Sequence, residues 1–185
     1  MNIFYFKSDP EQCGKEHCDK HCVKQILEYA QLLCTAHRVL DGKESIGISK
    51  SGRKQKVWTL DPQRDSILYK ASHVNHPSNE WTRDCSGNYL WLYQLWHHLC
   101  QEYTHRYDKI HTTSKLDEYL KYTPKKIKLG YFSPPWRAMP DQYKVPKEVP
   151  GYCEKSYQAY FNGEKQHIAS WKKRNTPEWF ALRKD

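Results

Sequence analysis

Seven polar side chains, His17, His21, Lys24, Glu28, Gln31, Thr35 and Arg38, succeed one another at alternating steps of four and three. At about 100° per residue that spacing holds all seven within roughly a 100° arc of one helix face. The adjoining flank, with Val23, Ile26, Leu27, Ala30, Leu33 and Cys34, is apolar and is expected to face a core. The pattern predicts a helix from about Glu16 to Val39, stopped by Asp41-Gly42. The stripe combines a carboxylate, two imidazoles, an ammonium and a guanidinium, the groups that move protons and hold anions.

A chain of 185 residues is long enough for one domain, 1–185, with a real core. Thirty Lys and Arg stand against 21 Asp and Glu, and 14% of the residues are aromatic. Disordered chains are poor in aromatics, so the mean hydropathy of −0.97 reflects a polar surface and not disorder. Excess positive charge with seven Trp and 14 Tyr points to an anionic, stackable partner, DNA or a nucleotide. The short apolar opening and the lack of any membrane-length apolar run lead us to expect no leader, no membrane association and a cytoplasmic protein, in the host cytoplasm if viral. Seven cysteines, an odd number without a Cys-x2-Cys pair, read as free thiols in a reducing compartment. Cys13, His17, Cys18, His21 and Cys22 have the density of a zinc site but no matching second pair, so no metal or other cofactor is expected.

Residues 2–6 suit a strand or an extended start. The basic run Ser51–Lys56 suits a loop or a hairpin leading into Val57–Thr59. Pro77 argues against helix at His76, and Ser78 is the expected N-cap of a helix beginning there. Leu92, Leu95, Trp96, Leu99 and Tyr103 give a core stripe to a helix over about 86–107. Ser114 with Asp117 resembles a capping box. Residues 123–151 hold six of the ten prolines, together with Tyr131, Phe132, Trp136 and Met139, and read as an ordered wrapping arm whose aromatics pack down. A last helix is expected over about 156–171. The fold class is therefore all-α, mainly helical, with a long Pro-rich loop and room for one short hairpin.

Glu28 is the candidate acid–base group, with Lys24 one turn before it and Gln31 and Arg38 beyond. His76, fixed by Pro77 at a helix start, suits a directed imidazole beside N–H groups open to a phosphate. Arg53, Lys54, Lys56, Arg106, Lys109, Arg137, Lys172, Lys173 and Arg174 are candidate backbone contacts.

Several stretches together resemble the pyrimidine-dimer DNA glycosylases, the small all-helical endonuclease V-type repair enzymes of phages and bacteria. They are the opening Met1–Phe6, Asp19-Lys20-His21 with Glu28 seven residues beyond, Asn75-His76-Pro77, Asn88–Leu92 and Glu102–Tyr107. Residues 110–185 lie outside the resemblance. It implies an N-terminal amine that attacks C1′ of a damaged nucleotide, an imine to the sugar, and a glutamate that assists β-elimination. It also implies a bent duplex with a flipped-out nucleotide. α-Amines as a class titrate near 8, well below lysine at about 10.4, which suits attack near neutral pH. On this resemblance Glu28 is the glutamate, Met1 carries the amine, and His21 is the third catalytic group. Asn2, His17, Lys24, Gln31, Arg38, His76, Arg53, Lys54, Lys172 and Arg174 would line the DNA. Asn2 stands where that family carries arginine; it is large enough that Met1 is expected to be retained. The expected function is a DNA glycosylase-like enzyme, with AP-lyase activity, acting on a damaged or modified pyrimidine. The alternatives are a phage-type nucleobase- or nucleotide-modifying enzyme using the same cleft without strand cleavage, and a non-catalytic basic nucleic-acid-binding protein.

Overall fold

The computed structural model describes residues 1–49 and 51–181. Asp9 opens α1 (Pro10–Glu16) by accepting the Gln12 N–H at 2.8 Å, with Pro10 in the first turn. The chain is then extended at His17 and Cys18 and restarts as α2 (Asp19–Asp41). The single helix expected from Glu16 is thus two. No Gly or Pro dictates the break. It is held from outside by Arg106, fully buried on α5 (Ser86–Tyr107), which donates to the Lys15 and His17 carbonyls at 2.9 and 2.8 Å. The same guanidinium pairs with Asp19 at 3.1 Å and with Glu102 at 2.7 Å. Arg106 is therefore structural and does not reach a nucleic-acid backbone.

Helix α2 ends at Gly42 as the sequence predicts. Next comes an antiparallel hairpin, β1 (Lys43–Ile48) and β2 (Lys54–Thr59), with Lys43 opposite Thr59 and Ile48 opposite Lys54. The fold is 52% helical, with seven α-helices among the described residues, so it is mainly helical and not strictly all-α. After α3 (Pro62–Ile67), α4 (Pro77–Asp84) begins behind His76, which takes the N-cap place expected for Ser78. Helix α5 matches its predicted span. A 3₁₀ turn over Thr112–Leu116, capped by His111, leads into α6 (Asp117–Leu120) in the region where the sequence places the Ser114 box. The last helix, α7 (Tyr152–Glu164), lies earlier than predicted, and a separate 3₁₀ turn spans Gln166–Ile168.

The core gathers Ile3–Phe6, the inner sides of α2 and α5, and Tyr157 and Phe161 of α7 into one cluster. The opening segment is extended but forms no ladder; the Phe4 N–H donates to Tyr29 Oη at 3.1 Å and the Phe6 carbonyl accepts from Gln158 at 3.1 Å. Helix α2 is enclosed on most sides by that segment, α4, α5 and residues 60–72, which include α3, and this reverses part of the expected pattern. His21, Thr35 and Arg38 of the polar stripe are buried, whereas Val23 (45% exposed) and Leu27 (39%) of the apolar flank face outward. The Pro-rich arm crosses the start of α5, where the Ser86 and Gly87 N–H groups donate to the Lys128 and Gly130 carbonyls. Gly87 is required there, because a Cβ would run into the backbone of 130–132. Phe132 stacks on Trp91 and Met139 is buried, but Tyr131 and Trp136 are exposed and do not pack down as expected. Among the described residues no helix is long and apolar enough to cross a membrane.

Candidate functional site

The exposed rim of α2, the first two residues and the start of α4 meet at one place. The Met1 amine lies 3.9 Å from Glu28 Oε2; the Met1 side chain is 7% exposed and that of Glu28 16%. Lys24, one turn before, puts its ammonium 3.5 Å from Glu28 Oε1, so the carboxylate sits between two cations. Ser78 Oγ donates to the Met1 carbonyl at 2.9 Å, and Asn2 Nδ2 donates to the Ala138 carbonyl at 3.0 Å. With its amide nitrogen as donor, Gln25 reaches the Asn2 carbonyl at 3.1 Å and Glu28 Oε2 at 3.2 Å. The carbonyls of residues 1 and 2 and the Asn2 side chain are thus each held, by contacts that do not consume the amine.

His76 belongs to this group through charge. Burial, the Met1 ammonium and His73 lower its pKa, with Glu28 opposing. Its Nδ1 accepts the Ser78 N–H at 3.1 Å, so the neutral ring carries its proton on Nε2. The phosphate cradle expected at this helix start does not form. Ser78 N–H is taken by His76, and the Asn79 and Glu80 N–H groups both donate to the His76 carbonyl.

The other sequence candidates have structural duties. His17 is fully buried, with Nδ1 2.7 Å from the Cys13 carbonyl and Nε2 2.8 Å from Tyr29 Oη. A carbonyl only accepts, so Nδ1 carries the proton and Tyr29 donates to Nε2 while accepting from Phe4. Burial pushes the His17 pKa down to about 4. His21 packs its ring on Phe4 with centroids 4.1 Å apart; burial and the nearby His17 push its pKa down to about 3. It makes no hydrogen bond to Met1 or Glu28 among the described residues, which removes it from the catalytic set. Arg38 spends its guanidinium on the carbonyls of Trp58, Asp65, Leu68 and Tyr69 and on the Asp65 carboxylate, all within 3.1 Å, so it holds no phosphate. Arg174 forks onto Glu102 at 3.0 and 2.9 Å. Lys172 lies over the Tyr107 ring at 5.5 Å and its N–H donates to Asp19, which ties the tail down. Gln31 is half-buried one turn past Glu28, and Arg53 and Lys54 are exposed at the hairpin's turn.

Among the described residues no group of three or more His, Cys, Asp or Glu is arranged to hold a metal ion. The thiols of the Cys13–Cys22 cluster are buried, and burial pushes those of Cys13 and Cys22 up to about 12.

Two clefts are lined by residues next in sequence to those of the site. One of about 520 Å³ is bounded by Gln55, Lys56 and Trp58 of β2 and by residues 71–75, which lead into His76. The other, of about 540 Å³, is bounded by α4 and by residues 133–137, next to the Ala138 that holds Asn2. Met1 and Glu28 line neither. Gln25, Ser78 and Ala138 are hydrogen-bond partners of residues 1 and 2 that sequence reasoning did not identify. Gln25 is one helical turn before Glu28, which is a signal; the other two become neighbours only through the fold. No family model, curated protein or solved structure matches the chain.

Proposed function

We infer that this protein is a DNA glycosylase-like enzyme that acts on a damaged or modified pyrimidine through the Met1 amine and Glu28. One observation carries the reading: an amine 3.9 Å from a largely buried carboxylate, with the Met1 carbonyl and the Asn2 side chain that follow that amine both held by hydrogen bonds. A structural ion pair gains little from such restraint, whereas a nucleophile that must meet one carbon gains from being held in place.

The neutral amine attacks C1′, its nitrogen forming the new bond as the N-glycosidic bond breaks and the base departs with that electron pair. Loss of a proton from nitrogen and opening of the sugar ring give an imine. Glu28 then takes a proton from C2′, the electrons move toward the imine, and the 3′ phosphate leaves in β-elimination. Water releases the product and restores the amine. The His76 Nε2–H and the Lys24 ammonium supply donors beside the developing charge.

The test begins by reading the protein's N-terminus by mass spectrometry. The protein is then incubated with abasic or ultraviolet-irradiated DNA and borohydride. A reduced adduct mapped to Met1 is expected. Glu28→Gln should lower strand cleavage by about 10²–10⁴-fold while DNA binding persists. Base turnover that needs Glu28 but forms no imine would favour the nucleobase-modifying alternative, and absence of both adduct and base release across a lesion panel would remove the reading.

A further inference from the structure

The 540 Å³ cleft between α4 and the Pro-rich arm has two chemically different walls. On α4, Glu80 and Asp84 stand one turn apart and share a helix face. Across from them the arm brings Arg137, Lys144 and Lys147, and the start of α7 brings Tyr152. The indole of Trp136 is 68% exposed at the cleft although its backbone is fixed: the Trp136 carbonyl accepts from Tyr157 Oη at 2.7 Å and from the Ala138 N–H at 3.0 Å. A large aromatic held out from a pinned backbone is a flat surface offered to a ligand, not a frayed loop. Arg137 stacks on Tyr152 at 4.9 Å and donates to Val145 and Ser156, which stiffens the floor.

We propose that this cleft takes one nucleobase of the DNA strand and selects bases that carry an exocyclic amino group. The base stacks on Trp136. Glu80 and Asp84 accept from the amino group of cytosine, adenine or guanine, which thymine and uracil lack. The adjoining phosphate lies toward Lys147, with Lys144, now paired with Asp141 at 2.7 Å, behind it. The size fits, since pockets for such ligands run from about 300 to 1,000 Å³. The cleft is tied to the amine site by chain: Glu80 is two residues from the Ser78 that holds Met1, and Arg137 precedes the Ala138 that holds Asn2. The inference rests on the nucleic-acid reading of that site and adds to it the identity of a neighbouring base.

Binding of end-labelled single-stranded oligomers of dC, dA and dT by fluorescence anisotropy tests it. The dC and dA oligomers should bind about tenfold more tightly than dT, and Trp136→Ala should weaken them by about tenfold or more while the circular dichroism spectrum is unchanged. Glu80→Ala with Asp84→Ala, which removes both acceptors, should abolish the preference for dC over dT without weakening dT binding. Equal affinity for the three oligomers, or unchanged binding by Trp136→Ala, overturns the proposal. Borohydride trapping of 2-deoxyribose 5-phosphate reads the amine separately, because that small aldehyde needs no base cleft. Trapping that persists equally in Trp136→Ala alongside unselective binding sinks the cleft alone; selective binding without trapping sinks the amine reading alone.

Discussion

Two guanidiniums show what a single residue does here. Arg38 and Arg106 are both fully buried, and both satisfy carbonyls that bends in the chain leave open. From the sequence each looks like an anion holder, because a charge at helical spacing carries no mark of what will surround it. Arg38→Lys keeps the charge but cannot span four carbonyls and a carboxylate. It should destabilise the protein by about 3–5 kcal/mol in urea unfolding, with DNA affinity per folded molecule unchanged. Glu28 is the opposite case. Its position on α2 is legible from spacing, and so is its pairing with Lys24. Its distance from Met1 is not, because no local pattern records that an opening segment of six residues, four of them buried, returns Met1 to the middle of a helix.

At the scale of the element, α2 has two readings that its periodicity cannot separate. Tyr29 and Leu32, outside the apolar flank, are core residues, while Val23 and Leu27 within it face outward. A helix wrapped on most of its circumference has no clean division into wet and dry sides, so counting apolar neighbours misplaces its edge. Leu27→Ser should therefore cost less than about 0.5 kcal/mol. Leu33→Ala, at a fully buried position, should cost about 2–5 kcal/mol in the same unfolding measurement. Equal costs would contradict this orientation of the helix. The long helix α5 is legible end to end because its apolar residues recur along its whole length. The break at His17–Cys18 is not, because its cause lies on α5.

For the molecule as a whole, three neutral imidazoles in the interior set the response to acid. Burial lowers His17 and His37 to about 4 and His21 to about 3, against about 6.5 in the unfolded chain. Below pH 6.5 the unfolded state binds protons that the folded state refuses, so stability falls as pH drops from about 6.5 toward 4. Asp41, Asp65 and Glu102, whose pKa values are lowered, add a second loss as pH falls through the carboxylate range. The free energy of urea unfolding should decline steeply between pH 6 and 4, by a few kcal/mol per pH unit near pH 5. A stability independent of pH across that range would mean that these rings are not sequestered.

The seating of the first residue bears on how the protein must be handled. A fusion partner or affinity tag placed ahead of Met1 converts its ammonium into a neutral amide and forces new chain out past the Glu28 carboxylate 3.9 Å away. Protein purified that way should show no imine chemistry and a displaced opening segment, while protease cleavage that leaves Met1 as the first residue should recover both.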